Sequence, residues 1–256
     1  MHVLGVLWTY PPDKTWNQRV LQRRLRTARA ALFPAALSQG STTIVDDSIP
    51  PGDWEKTPAA TRARMTQAAA RLGKPPQRYF SHPPLMAGYL LVSDFRDSMG
   101  WKAEALMAQV GQAVTKAGVE GRNAAVLPAD RYIKAWSSAT SEAGQTCLDA
   151  ALAEVEGGSA PMREAIDGWA LGDVAAALAA PRGLELCGFA LPGQGDLRRA
   201  AIDAQVEAIA KALNGETGAR PTASYVAVAN LRTLLAQDGV LDKLRQRGYQ
   251  VRSPQD

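Results

Sequence analysis

Residues 225–232 read Tyr-Val-Ala-Val-Ala-Asn-Leu-Arg. The apolar run is too short for a helix and is rich in β-formers, which predicts a buried strand over 225–229. From Leu231 to Arg247 the spacing turns helical, with a break expected at Asp238-Gly239. Gly248 stops that helix, and Tyr249-Gln250-Val251 is expected as a terminal strand. The opposite end of the chain offers a matching element. Val3 to Trp8 is a second apolar run, ended by Tyr10-Pro11-Pro12, and reads as a buried strand.

Between these ends the pattern is mostly helical. Helices are expected over 14–29 with Asp13 as N-cap, then over 58–72, 85–95, 103–117, 141–155, 162–178 and 196–213. Gly73, Gly118 and Gly157-Gly158 act as stops. In the last of these helices Ile202, Val206, Ile209 and Leu213 form one face, with Asp196 as N-cap. Ala30 to Leu37 is a further strand that Pro34 obliges to be an edge or to end early. Ala124 to Leu127 reads as a buried strand, Gly183 to Leu191 as extended chain, and Thr42 to Val45 as a short strand in a turn-rich stretch. The order predicts an α/β (α+β) fold: a small mixed sheet built from N- and C-terminal strands with a large inserted helical lobe, in one domain over 1–256.

The composition fits that fold and narrows the function. The 256 residues are 46% hydrophobic and 21% charged, enough for a core and far from a disordered chain. A net charge of +4 is a mild excess, and no nucleic-acid partner is expected from it. The densest basic cluster is Arg19, Arg23, Arg24, Arg26 and Arg29, with Lys14 just ahead. Arg19, Arg23 and Arg26 share a helical stripe opposite Trp16, Val20, Leu21, Leu25 and Ala28. A solvated helix face is preferred there over an anion or membrane-surface patch. No apolar run is long enough for a transmembrane segment. No signal peptide opens the chain, so as it stands it reads as cytoplasmic, while an upstream export segment would make it periplasmic or envelope-associated. Cys147 and Cys187 are the only cysteines, either bridged or two buried thiols.

Catalytic signatures are sparse. No nucleophile elbow, P-loop or dinucleotide fingerprint is present. Gly193-Gln194-Gly195 reads as a plain turn into a helix rather than an anion cradle. Asp46-Asp47 and Asp53 read as solvated turn acids, and Asp203 and Glu207, between Arg199 and Lys211, as a salt-bridged helix surface. The two histidines, His2 and His82, lie at the N-terminus and in a proline-rich linker.

Three segments resemble the TraB/GumN family, related to TIKI-type proteins. They are Leu4-Gly5-Val6-Leu7-Trp8 with Pro11-Pro12-Asp13 and Trp16; Ile166 to Asp173; and Val226 to Arg232 continuing through Asp238-Gly239-Val240-Leu241 to Leu244–Val251. The resemblance implies a metal-dependent hydrolase or peptidase whose site is built from two G-x-x-H motifs and a second-strand glutamate. In this chain the first motif keeps Gly5 but has Trp8 in place of histidine. The second has Ala229 and Arg232 in place of glycine and histidine. Pro34 falls near the glutamate position, and Leu127-Pro128 replaces a later Leu-Glu. An indole and a guanidinium are not ligands for a cation.

The expectation is therefore a catalytically degenerate member with a binding, scaffolding or regulatory role, and no metal or other cofactor. Trp8, Tyr10, Asn230 and Arg232 are its candidate binding residues, an aromatic and cationic set suited to a carboxylate, phosphate or peptide. A small anionic ligand, a protein partner or a second copy of the chain remain open as occupants. A family-type hydrolase with relocated ligands is the alternative.

Overall fold

The computed structural model describes residues 1–38, 52–128, 139–215 and 224–252. In chain order the elements begin with β1 (His2–Val6), β2 (Thr9–Tyr10), α1 (Arg19–Leu25), β3 (Ala28–Phe33) and β4 (Ala36–Ser38). There follow α2 (Ala59–Arg71), α3 (Gln77–Phe80), α4 (Pro84–Ser98), β5 (Lys102–Ala103), α5 (Ala105–Lys116), β6 (Glu120–Asn123) and β7 (Val126–Pro128). After these come α6 (Ser141–Gly157), α7 (Ala160–Leu171), α8 (Val174–Leu178), α9 (Gly183–Phe189) and α10 (Gln194–Asn214). The chain then closes with β8 (Ser224–Asn230), α11 (Leu231–Leu235) and α12 (Val240–Gln246).

These elements divide into two compact units. One gathers Met1–Ser38, Lys102–Leu127 and Arg198–Asp256; the other gathers Gln39–Trp101 and Pro128–Leu197. The first is the α/β unit. Its four-stranded sheet runs β1-β8-β3-β6 and every pairing is parallel. Strand β8 lies inside the sheet, so both its faces are covered and its run of apolar residues is continuous, as a parallel interior strand requires. Alternation along β3 and β8 sends Ala30, Leu32, Tyr225, Ala227 and Ala229 into a core with Ile202, Val206 and Ile209 of α10 and Leu234, Val240 and Leu244. On α10 it is Ala212 that turns inward, while Leu213 is partly exposed.

The second unit is helical. Helix α4 packs along α6 so closely that glycine is needed at the crossing. A Cβ on Gly88 would lie 2.8 Å from Cys147 Sγ and 2.9 Å from Leu148 Cα. Cys147 of α6 and Cys187 of α9 form a disulfide, so the two-thiol alternative falls. Arg96 of α4 and Glu154 of α6 are buried together, joined by bonds of 2.7 and 3.0 Å. Glu154 also accepts from the Gly183 amide at 2.8 Å, placing a carboxylate at the start of α9.

Several expected elements change. The helix expected over 14–29 shrinks to the seven residues of α1, because 28–33 is claimed by the sheet as β3. Its N-cap position is Gln18, not Asp13, and Val20 faces solvent at 64% exposure. Strand β3 is interior, and it ends at Phe33, directly before Pro34. The sheet strand near 124–127 is instead the polar β6, Glu-Gly-Arg-Asn. As an edge it tolerates the Glu120–Arg122 pair, whereas Val126 in β7 is exposed.

Residues 183–189 are helical, not extended, with the disulfide and the Glu154 bond fixing α9. Residues 249–251 form no strand. Past left-handed Gly248, Tyr249 and Val251 simply pack on the core. The 162–178 helix breaks at left-handed Gly172, and Asp173 caps α8 through the Ala176 amide. Helix α10 begins at Gln194, after left-handed Gly193, so Asp196 sits in its first turn rather than at its cap. The 42–45 strand and Asp46-Asp47 lie outside the described residues. Among the described residues no helix is long and apolar enough to cross a membrane.

Candidate functional site at the carboxyl edge of the parallel sheet

Because β1, β8, β3 and β6 all run the same way, their carboxyl ends share one edge of the sheet. Open α/β sheets form their ligand crevices at that edge. Val6 is paired with Asn230 in the register of β1 and β8. Trp8 and Arg232 each follow two residues beyond that pair, at the ends of adjacent strands. Pro34 follows directly on β3, and Asn123 closes β6.

The local chemistry explains how each residue is held. Asn230 is the N-cap of α11, and its Oδ1 accepts from the Arg232 amide at 3.0 Å and the Thr233 amide at 3.2 Å. Its side-chain oxygen is thus committed to the backbone. The start of α11 lies against β1, and a Cβ on Gly5 would meet Leu231 Cδ1 at 2.6 Å. Glycine at position 5 therefore serves packing whatever stands at position 8. Trp8 is 48% exposed, and its carbonyl accepts from the Glu104 amide at 2.7 Å. Arg232 is half-buried in the first turn of α11. Tyr10 is fully buried in β2, where it pairs with Lys102 of β5.

Of the four sequence-predicted residues, the sheet brings Trp8, Asn230 and Arg232 to one edge and places the Tyr10 ring in the interior. Sequence reasoning passed over Glu104. It adopts a left-handed backbone (φ 60°) at the N-cap of α5 and is the residue whose amide holds the Trp8 carbonyl. No spacing rule flags such a residue, since the contact depends on β2 meeting β5. A groove of about 350 Å³ also opens in this unit, between the end of β6 and the alanine-lined side of α10, with Arg122, Glu207 and Lys211 at its rim.

The remaining polar candidates resolve as structure. Asp203 pairs with Lys243 and Glu207 with Arg247 at 2.9 Å, tying α10 to α12 across the surface. Asp53 pairs with Lys56 at 2.7 Å on an exposed turn. His2 opens β1, and burial, then the neighbouring Arg24 and the N-terminal amine, depress its pKa below the usual imidazole range. His82 lies in the other unit, with its carbonyl accepting from the Trp54 indole. Among the described residues no three His, Cys, Asp or Glu side chains are grouped so as to hold a metal ion.

The family model for the TraB/PrgY/gumN family matches residues 4–253. The chain belongs to the TraB/PrgY/gumN family. No curated protein and no solved structure matches it. The match runs through both units, so the sheet and the helical lobe fall within one family region. For a divalent cation, the edge where β1 and β8 end is a poor donor set: an indole, an amide oxygen spent on capping and a permanent cation.

Proposed function

We infer that this TraB/PrgY/gumN member is a degenerate relative of a metal-dependent hydrolase, one that works by binding rather than by turnover. The two units are read as halves of one family domain over 1–256, a reading supported by a family match that crosses both. The observation that carries the functional reading is the side-chain set at the carboxyl edge of the sheet. A half-exposed indole at Trp8 and a guanidinium at Arg232 follow the paired ends of β1 and β8.

An aromatic face beside a guanidinium recognises a carboxylate or phosphate carried on a flat or apolar body. The ligand class that fits is thus a small organic anion or the acidic end of a peptide. Binding, scaffolding or regulation through that ligand follows, with Asn230 holding the geometry by capping α11.

Elemental analysis of the purified protein, before and after chelation, tests the reading together with a thermal-shift panel of organic carboxylates and phosphates. The expected result is substoichiometric metal and a ligand-induced rise in Tm that Trp8→Ala and Arg232→Ala each abolish. One equivalent of zinc or manganese accompanied by peptide hydrolysis would overturn it. So would a ligand-induced shift that survives both substitutions.

A further inference from the structure

The two units carry charge of opposite sign. The α/β unit has eighteen Lys and Arg against nine Asp and Glu, a net of +9, whereas the helical unit has eleven against sixteen, a net of −5. Within the α/β unit the excess is concentrated around α1. No acid occurs between Asp13 and Asp46, and that interval holds Lys14, Arg19, Arg23, Arg24, Arg26 and Arg29.

All five arginines are exposed. Among the described residues, the guanidinium groups of Arg19, Arg23, Arg24 and Arg26 have no acidic partner, in contrast to the bidentate pairing of Arg64, Arg78 and Arg96 elsewhere. Val20, an apolar side chain 64% exposed, lies on the same short helix as Arg19, Arg23 and Arg24, with Arg23 and Arg24 one turn further along its face. Its neighbours Leu21 and Leu25 turn inward and fix α1 on the sheet, so the arginines and Val20 are held on a supported surface.

We propose that this α1 surface docks on an anionic phospholipid bilayer. The arginines meet headgroup phosphates and Val20 enters the boundary between headgroups and acyl chains. Each basic side chain near an anionic leaflet contributes a comparable increment of attraction, and clusters of four to eight are the range in which peripheral binding becomes stable. Two features favour a bilayer over a nucleic acid. An exposed apolar residue between Arg19 and Arg23 has no use on a phosphodiester backbone that is read by charge alone. The Cys147–Cys187 disulfide belongs to chains that mature in an oxidising compartment, where lipid headgroups rather than nucleic acids are the abundant polyanions.

The test is sedimentation of the full chain with vesicles of phosphatidylglycerol and phosphatidylcholine in equal parts, and with vesicles of phosphatidylcholine alone. The expected result is partitioning to the anionic vesicles only, lost between 50 and 500 mM salt, an approximate range over which the screening length falls several-fold. The fourfold variant Arg19→Gln, Arg23→Gln, Arg24→Gln, Arg26→Gln should lose up to about a thousandfold in partitioning. The fourfold lysine variant should keep it, and Val20→Ser should weaken it by a smaller factor. Arg163→Gln, which removes an exposed charge from the helical unit, should change nothing. Equal binding to neutral vesicles, salt-insensitive binding, or full retention by the glutamine variant would overturn the proposal. So would a DNA duplex that binds more tightly than anionic vesicles at matched phosphate concentration.

Discussion

In the α/β unit the pairs Asp203–Lys243 and Glu207–Arg247, between α10 and α12, and Glu120–Arg122, on β6, all lie on the surface. In the helical unit Arg96 and Glu154 meet in the interior, with side chains 7% and 1% exposed, and Glu154 also holds the first amide of α9. The sheet obtains its register from backbone pairing and from an alternating apolar core, so its charges are left free to face outward. Three helices packed around α6 have no ladder to fix their positions. A disulfide, a glycine crossing and a buried ion pair fix them instead.

That contrast can be broken most forcefully at the ion pair. Arg96→Ala leaves the Glu154 carboxylate buried without its cationic partner, held by the Gly183 amide, and should cost about 3–5 kcal/mol in denaturant unfolding. Lys243→Ala or Arg247→Ala in the other unit should cost less than about 1 kcal/mol. Equal losses would mean that the two units do not differ in how they use charge. Removing the disulfide by the double substitution Cys147→Ser, Cys187→Ser should cost about 2–4 kcal/mol, and reduction of the wild type should reproduce most of that loss.

The glycines sharpen the comparison. Gly88→Ala pushes a methyl group into Cys147 Sγ and the Leu148 backbone and should destabilise by about 1–3 kcal/mol. Gly111→Ala in α5 meets nothing within 4 Å and should stabilise by up to about 1 kcal/mol through helix propensity. A Tm series on the two variants decides between them by sign. The smallest effect is an acid sensitivity of the helical unit. Burial opposes ionisation of Asp94, but the bonds from Arg78 and Tyr79 prevail and hold its carboxyl below the usual range. Its folded pKa is therefore below its unfolded one. The contribution is fully present above about pH 4 and is lost as the pH falls through the folded value. Asp94→Asn should flatten stability against pH in that acidic window and leave neutral pH behaviour with little further slope.

Strands β1 and β8 were legible because each is an apolar run bounded by turn chemistry, α2 and α5 because their apolar runs end at glycine stops, and α4 because an apolar run follows Pro83-Pro84. Strand β6 was not, since Glu-Gly-Arg-Asn has the composition of a loop and becomes a strand only because β3 offers an unpaired edge. Residues 183–189, Gly-Leu-Glu-Leu-Cys-Gly-Phe, are too short and too glycine-rich to show a helical period, yet become helical under the disulfide and the carboxylate at their N-terminus. At the candidate site, Trp8 and Arg232 were visible from the family resemblance alone. The roles of Gly5 and Glu104 depend on how α11 lies on β1 and how β2 meets β5, which no spacing in the chain encodes.

The amino-acid sequence by itself determined that strands from the two ends of the chain join one sheet, that a helical lobe is inserted between them, that the chain belongs to a family, and that an indole and a guanidinium follow β1 and β8. Those features are local, written in apolar period, turn residues and short motifs. Only the tertiary structure decided that the sheet is parallel with a polar edge, that the two cysteines meet, that Arg96 and Glu154 neutralise each other out of water, and that, among the described residues, no acid pairs with the guanidinium groups of Arg19, Arg23 and Arg24 on α1. Each of these depends on which distant residues arrive together, and distance along the chain carries no information about that until the backbone is folded.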